Sequence, residues 1–400
     1  MNRNRSFIKE NNSITLILFT FILFLFSLTR VYRNSIDYSS SSVGGIWNII
    51  VLLFCICSIL CFIFAANKVK GDKTIGLIIV YGLISFANNI LRVEFTITSV
   101  YNTLMILSFP LTLYFFYFLF SKYSSKKFAT VFFILYYVLL TLVLATNLMR
   151  LSGHLTYIMV SNVYYLLCLF PLALSVAKKK TLLVLLTFIP IITSEKRVAL
   201  LSFVISLAVY ILVKSILQRD LKKVFIYIII GATVFVVFTL LLSFFERRFN
   251  VAIMSRLLNL SNDRGSGRAD MYQAIYRAFN DSPVFNKLFG HGIDTSKNIL
   301  IVHDDVHDDF LQILYEYGLI SFLAFLAFYL SFAFKSLRSI LTRSNNAPYL
   351  CTAFVISVFL SLFSVFITDY TYSICMAFSL GFLFASPNYL TMKGATSANR

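Results

Sequence analysis

The chain has 400 residues, of which 59% are hydrophobic and 13% are charged, and its mean hydropathy is +0.82. A soluble domain is about half apolar and about a quarter charged, so this composition excludes a soluble globular protein and favours a chain folded in a lipid bilayer. The formal net charge of +18 does not indicate nucleic-acid binding, because Lys and Arg fall in short clusters between apolar runs. Such clusters are typical of topology signals and of contacts with anionic lipid headgroups.

Apolar runs long enough to cross a bilayer recur along the whole chain. The first run follows a basic start and has no small-residue cleavage site after it, so we interpret it as a first spanning helix. In all, the sequence predicts about twelve transmembrane helices. They lie near 14–29, 46–66, 74–91, 99–120, 128–148, 155–177, 181–196, 198–217, 224–245, 309–334, 349–367 and 372–388. All six Cys residues lie inside apolar runs, so we expect no disulfide framework and no metal site from them.

The basic residues alternate between the two sides of the predicted helices. If the N-terminus is cytoplasmic, every second connection is rich in Lys and Arg, and the short connections between them carry few. The positive-inside rule therefore predicts a multi-pass membrane protein with both termini in the cytoplasm. The predicted organisation is nine helices over 1–245, one large outer loop over 246–308, and three helices with a short tail over 309–400.

The outer loop contains a candidate anion site. An amphipathic helix at the membrane surface is predicted over 268–280, with Ser266 as its N-cap. Its apolar face follows an i, i+3, i+4, i+7 pattern through Tyr272, Ile275, Tyr276 and Phe279. Arg268 would lie in the first turn, where free backbone N–H groups and the helix dipole suit a phosphate or diphosphate. The alternative is a surface Arg near lipid headgroups.

The end of the outer loop reads His303-Asp304-Asp305-Val306-His307-Asp308-Asp309. A polar stripe follows from it into the tenth predicted span, through Asp305, Asp309, Gln312 and Glu316. Because charged side chains are costly inside a bilayer, this stripe should face a wet cavity or other helices. His303 and His307 are four residues apart and could bind a metal if helical. The alternative is a general base, a His that a carboxylate orients to take a proton from a hydroxyl.

A third polar segment, Ser194-Glu195-Lys196-Arg197, lies between two apolar runs with almost no room for a loop. Arg197 should therefore lie at the outer membrane interface, either extending to headgroups or facing the same cavity as Arg268. The chain has no Walker A, G-x-G-x-x-G or G-x-S-x-G motif, and Gly290-His291-Gly292 indicates a turn. We expect no cofactor, and an enzyme on the outer face would need a donor that is already activated and carried by lipid.

Three segments, in order along the chain, resemble the bacterial O-antigen polymerase and O-antigen ligase superfamily. Members of this superfamily are integral membrane glycosyltransferases that act on undecaprenyl-diphosphate-linked glycans. Ser194 to Ala199 is similar to the family's Ser followed by Arg at the outer mouth of a central span. Ser266-Gly267-Arg268 and Gly290-His291-Gly292 match the opening and the turn of its outer loop. His307-Asp308, nine residues and then Gly318-Leu319-Ile320-Ser321 resemble the ligase motif, with Asp308 where Asn, Ser or Gln is usual.

The resemblance implies an all-α, GT-C-like membrane fold beneath an outer loop that carries an amphipathic helix. It implies that Arg197 and Arg268 hold the diphosphate leaving group, that His307 deprotonates the acceptor hydroxyl, and that no metal is needed. We expect the substrate site to include Asp308, Gln312, Glu316 and His303 as well. The partners implied are the lipid-linked oligosaccharide, membrane lipid, and possible chain-length regulator and flippase proteins.

Several functions fit this pattern. We favour a polysaccharide repeat-unit polymerase, whose acceptor is another lipid-linked repeat unit, because polymerases are the more varied and numerous class. An O-antigen ligase, which transfers the glycan to a lipid A core or a protein, is the alternative within the family. A lipid-linked glycan transporter or flippase also suits twelve spans, but the sequence shows no related halves, and its charges cluster at one face. A sensor would need a cytoplasmic output domain, and the predicted inner connections are short basic segments.

Overall fold

The computed structural model contains only helices as regular elements in the part of the chain that it describes. The described residues are 2–36, 72–92, 103–123, 126–152, 162–219, 268–300, 306–367 and 370–385, with isolated positions at 53, 56, 57, 59, 60 and 243. The helices are α1 (Asn2–Ile36), α2 (Lys73–Ile90), α3 (Ser108–Lys122), α4 (Lys126–Leu151), α5 (Val163–Val176), α6 (Lys180–Thr193), α7 (Arg197–Gln218), α8 (Arg268–Asp281), α9 (Val284–Phe289), α10 (Asp309–Glu316), α11 (Gly318–Leu341), α12 (Ala347–Phe363) and α13 (Tyr370–Ala385). A single 3₁₀ turn, Thr295–Asn298, is described between α9 and α10.

Five of the described helices contain segments long and apolar enough to cross a membrane. These segments are Ile14–Val31, Lys73–Ile90, Lys127–Leu151, Arg197–Gln218 and Gly318–Leu341. The shorter apolar helices α5, α6, α12 and most of α13 pack among them. An all-α fold with helices suited to a membrane is therefore confirmed for the described residues, whereas the total of twelve spans stays a prediction. The predicted spans 46–66 and 224–245 lie outside the described residues, apart from isolated positions.

The predicted tenth span, 309–334, is in fact two helices. The short helix α10 ends at Glu316, and the apolar helix α11 begins at Gly318, whose φ is +83°. A side chain at Gly318 would meet the backbone of Leu288 and Gly290, so only glycine allows the loop to pass this close. The described part of the polar stripe, Asp309, Gln312 and Glu316, is consequently carried by α10 and not by the spanning helix α11. Asp305 lies outside the described residues.

Aromatic rings fill the interior of the bundle. Phe378 of α13 lies edge-to-face on Phe116 of α3, with ring centroids 4.8 Å apart, and contacts Phe120, Phe128 and Phe132 at 5.3–6.2 Å. Helix α13 approaches α3 closely because Gly381 has no side chain; a Cβ there would lie 2.7 Å from the Cβ of Phe116. The high Phe content of the sequence is therefore used largely for packing between helices, where edge-to-face pairs are favourable.

Contacts between helices show which helix ends lie together at each of the two ends of the bundle. At one end, the basic end, Lys335 pairs with Asp72, and the ammonium of Lys180 donates to the Tyr349 hydroxyl. At the opposite end, the Asn88 amide donates to the carbonyl of Tyr317 over 3.0 Å. This division follows the alternation of Lys and Arg in the sequence. Which end faces the cytoplasm stays a prediction.

A polar layer covers the end of the bundle opposite the basic end. We call this layer the cap and define it as residues 268–300 and 306–318. Asn89 accepts a hydrogen bond from the Ile293 backbone N–H over 2.7 Å and donates one to the Thr103 hydroxyl over 2.5 Å. Asp309 is fully buried and accepts hydrogen bonds from the backbone N–H groups of Phe366 and Ile367, over 3.1 and 2.8 Å. These bonds join the cap to α2 and to the loop between α12 and α13.

Candidate functional site at the junction of cap and bundle

The amphipathic helix of the outer loop is α8. It extends over Arg268–Asp281, within one residue of the prediction, and Ser266 lies outside the described residues. Its buried face packs on α10 and on the side chains of Leu300 and Val306. Tyr276, on the predicted apolar face, is 57% exposed and does not belong to this packed surface. The face that packs consists of Met271, Tyr272, Ala274, Ile275, Ala278 and Phe279. Contacts with other cap residues therefore hold this helix in place.

Tyr272 connects α8 to the start of α10. Its hydroxyl donates a hydrogen bond to the backbone carbonyl of His307 over 3.2 Å and lies 3.5 Å from the carbonyl of Leu362, near the end of α12. His307 has a left-handed backbone, with φ of 56°, a conformation that costs a non-glycine residue about 1 kcal/mol. Asp308 follows as the N-cap of α10 and accepts a hydrogen bond from the Leu311 N–H over 3.0 Å. The second predicted segment thus lies directly against the first.

Arg268 begins α8 one helical turn before Tyr272. Its guanidinium acts electrostatically on the hydroxyls of Tyr272 and of Tyr164, at the start of α5. Within the described part of the chain, Arg268 makes no hydrogen bond or ion pair. A cation without a carboxylate partner at the first turn of a helix is suited to an anionic ligand, because the helix dipole adds to its charge.

The electrostatic surroundings of Tyr272 keep its hydroxyl protonated. Burial, together with the carboxylate of Asp308, raises the pKa of Tyr272 to about 12, and Arg268 opposes this shift. Burial also raises the pKa of Asp308 to about 6, against the effect of the backbone hydrogen bonds that it accepts. Tyr272 is consequently a permanent hydrogen-bond donor at neutral pH, whereas Asp308 changes its charge near neutrality.

Arg197 is the first residue of α7 and follows a tight turn. Glu195, with φ of 57°, forms an ion pair with Arg150 of α4, whose guanidinium donates to the carboxylate over 3.1 Å. The buried Ser194 hydroxyl accepts a hydrogen bond from the N–H of Lys196 and donates one to the carbonyl of Ile191. Glu195 is therefore used to hold the turn that presents Arg197.

The position of Arg197 relative to the cap follows from the packing of α7 on α12. These helices are antiparallel, because the Tyr210 ring lies 5.7 Å from that of Tyr349 and the Ser206 carbonyl lies 3.5 Å from the Thr352 hydroxyl. At 1.5 Å rise per residue in both helices, the same register sets Arg197 level with the last turn of α12. That turn carries the Leu362 carbonyl, which lies 3.5 Å from the Tyr272 hydroxyl. Arg197, Arg268 and His307 therefore lie at the same end of the bundle.

The other predicted substrate-binding residues lie within or beside the cap. Glu316 is buried and accepts hydrogen bonds from the Ser296 hydroxyl over 2.5 Å and from the Gln312 amide over 3.2 Å. Burial raises the pKa of Glu316 to about 7. The hydrogen bonds shown for Gln312 and Glu316 are to cap residues, and contact with a substrate stays a prediction for both. His303 lies outside the described residues.

Sequence reasoning missed the roles of Tyr272 and Asp309. Tyr272 counts as an apolar residue in the helical pattern, and its hydroxyl contact with His307, 35 positions away, is not visible in any local spacing. Asp309 belongs to the predicted polar stripe, but its partners are backbone N–H groups more than 50 residues away. The available signal for Tyr272 was its position four residues after Arg268, which places both side chains on one helix face.

A comparison with protein families matches residues 182–326 to the O-antigen ligase family. This match supports a relationship of the chain to the O-antigen polymerase and ligase superfamily. The resemblance predicted from the three motifs is confirmed, and the matched residues include Arg197, Arg268 and His307. Proteins of the O-antigen ligase family are glycosyltransferase-type enzymes that act on lipid-linked oligosaccharides in membranes. A comparison with curated proteins finds no match.

Proposed function

We propose that this O-antigen ligase-family chain is a repeat-unit polymerase of the bacterial plasma membrane. It transfers a glycan from undecaprenyl diphosphate to a hydroxyl of another lipid-linked repeat unit on the outer face. This proposal rests on one observation, the placement of four residues together at the edge of the cap: Arg268, Tyr272, His307 and Asp308. Arg197 lies at the same end of the bundle. A lipid carrier could remain in the bilayer while its head group reaches this edge.

The proposed reaction exchanges one bond at the anomeric carbon of the donor sugar. The acceptor oxygen forms a bond to that carbon while the bond from the carbon to the diphosphate oxygen breaks, and the electron pair leaves with the undecaprenyl diphosphate. The proton of the acceptor hydroxyl passes to His307. Because the leaving group gains negative charge, fixed guanidinium groups stabilise the transition state more than the bound donor. We assign that role to Arg268 and Arg197.

No cofactor enters this proposal, since the donor carries its energy in the sugar–phosphate bond. Asp308 would border the acceptor hydroxyl beside His307. Possible partners are a flippase that delivers the lipid-linked unit and a regulator of chain length. A ligase-type transfer to a lipid A core or a protein is the second candidate, which the family description favours. The two differ in acceptor, and the same cationic edge would serve both.

Replacement of the proposed residues in the host bacterium tests the reaction. We expect Arg268→Ala, Arg197→Ala and His307→Ala each to abolish surface polymer while single lipid-linked repeat units persist. The matched control is Arg277→Ala, nine residues along α8 and so on its opposite, exposed face, which should leave polymer length unchanged. Polymer of normal length in all three variants would reject these roles. Long lipid-linked polymer that accumulates without transfer would instead favour the ligase.

A further inference from the structure

Tyr272 occupies a position between the two halves of the proposed reaction site. It lies four residues after Arg268, so both side chains project from the same face of α8. Its hydroxyl donates a hydrogen bond to the carbonyl of His307, and the charges of Arg268 and Asp308 also act on this hydroxyl. The cationic group proposed to hold the leaving diphosphate and the proposed base are thus linked through this one side chain.

The backbone of His307 needs such a contact. A left-handed conformation at a residue with a side chain is sparsely populated and persists only where its surroundings hold it. Within the described residues, the Tyr272 hydroxyl is the side-chain donor shown on the His307 carbonyl. Loss of that donor removes a hydrogen bond that holds this conformation. A return of His307 to negative φ would turn its Cα–Cβ bond, and the imidazole with it.

A second contact offers a competing explanation. The Tyr272 hydroxyl also lies 3.5 Å from the Leu362 carbonyl, so it could serve only to fasten α8 to the end of α12. The hydroxyl has one proton to donate, and the His307 carbonyl is the closer acceptor at 3.2 Å. If anchoring of α8 were its whole role, removal of the hydroxyl would displace Arg268 as well, because Arg268 is carried by the same helix.

We propose that Tyr272 is a positioning residue that holds His307 in its left-handed conformation and so aims the imidazole at the acceptor hydroxyl. This inference rests on the proposed function and adds a residue to it. The hydroxyl touches the backbone of the base and not the reacting atoms. Its effect should therefore appear in the rate of transfer and not in the binding of the donor's diphosphate.

The test compares Tyr272→Phe with Tyr276→Phe. Both changes remove one hydroxyl from α8, but Tyr276 is 57% exposed and lies off the packed face. The full-length protein in lipid nanodiscs is titrated with undecaprenyl diphosphate, and polymer formation is measured in cells that carry each variant. For Tyr272→Phe we expect a dissociation constant within about twofold of the parent and polymer formation reduced about tenfold or more. Tyr276→Phe should resemble the parent in both measurements.

Either of two outcomes would overturn the inference. Weaker undecaprenyl diphosphate binding by Tyr272→Phe would show that the hydroxyl anchors α8 as a whole, and unchanged polymer formation would show that it does not act on His307. Failure of the proposed function is recognised separately with Arg268→Ala. If that variant binds undecaprenyl diphosphate and forms polymer like the parent, the site assignment fails, whatever Tyr272→Phe does.

Discussion

The bundle and the cap are held together by different kinds of contact. In the bundle, rings from several helices surround Phe378, and each ring supplies only one of its many apolar contacts. In the cap, a single polar group or a glycine makes a contact that no neighbouring residue can make in its place. Asp309 accepts two backbone N–H groups, and Gly318 lies directly against the backbone of Gly290.

This difference indicates which region tolerates change. Apolar side chains of similar volume can replace one another in a packed interior, whereas a buried polar group that loses its partner remains unsatisfied. Since the cap contributes Arg268 and His307 to the site, its few exclusive contacts also determine the geometry of the proposed reaction. We therefore expect single substitutions in the cap to have larger effects than comparable ones in the bundle.

The largest effect is expected from Gly318→Ala. The new Cβ would overlap the backbone of Leu288 and Gly290, and the φ of +83° disfavours any side chain. We expect a loss of more than about 3 kcal/mol in the free energy of unfolding. Thermal unfolding in detergent checks this result. Gly76→Ala, in the bundle helix α2 with no atom within 4 Å of the added Cβ, is the control and should be neutral or slightly stabilising.

A smaller loss is expected from Asp309→Asn. The amide retains one acceptor oxygen but turns an NH₂ group toward a backbone N–H of Phe366 or Ile367. We expect the free energy of unfolding to fall by about 2 kcal/mol. The exposed Asp281→Asn at the end of α8 provides the matched control. Equal stability of the two variants would mean that Asp309 does not join the cap to the bundle.

The pH dependence of stability should contain a contribution from Glu316. Burial raises its pKa from 4.5 to about 7, so the folded state binds the proton more tightly than the unfolded state. The stabilisation is complete below about pH 4.5 and is lost as the pH rises to about 7, by up to about 3 kcal/mol. In Glu316→Gln this loss should disappear. Parallel unfolding curves from pH 4 to 8 for parent and variant would contradict the assignment.

The parent and the variant must be compared because His291 contributes to the pH dependence of stability with the opposite sign. Burial and the charge of Arg92 lower the pKa of His291 below 6.5. Its contribution to stability is therefore lost as the pH falls below about 6.5. The difference between the Glu316→Gln and parent curves removes this shared contribution.

The smallest effect is expected in the bundle. Phe378→Leu removes edge-to-face contacts with Phe116 and Phe120 but leaves an apolar side chain of similar size. We expect a loss of about 1 kcal/mol in stability and normal polymer length. Stability is measured by unfolding in detergent and polymer length by gel analysis of the surface glycan. A loss as large as that of Gly318→Ala would remove the contrast between the two regions.

The sequence was sufficient to predict an all-α, apolar bundle for the described residues, because the length of apolar runs is a local signal. It also located α8 within one residue and assigned Arg197, Arg268 and His307 to the same side. It could not show that α10 is separate from α11, because that break depends on the close approach of Gly290 to Gly318. The role of Tyr272 was hidden for the same reason, since its acceptor on His307 is brought near only by the folded cap.

Whether this edge of the cap holds the diphosphate is tested most directly by binding of undecaprenyl diphosphate to the full-length protein in nanodiscs. The two variants to compare are Arg268→Ala and Arg277→Ala. Both changes remove one guanidinium from α8, but only Arg268 lies beside Tyr272 at the proposed site. We expect Arg268→Ala to weaken binding by at least about tenfold and Arg277→Ala to bind like the parent. Equal affinity of the two variants would contradict the claim that this edge of the cap holds the diphosphate.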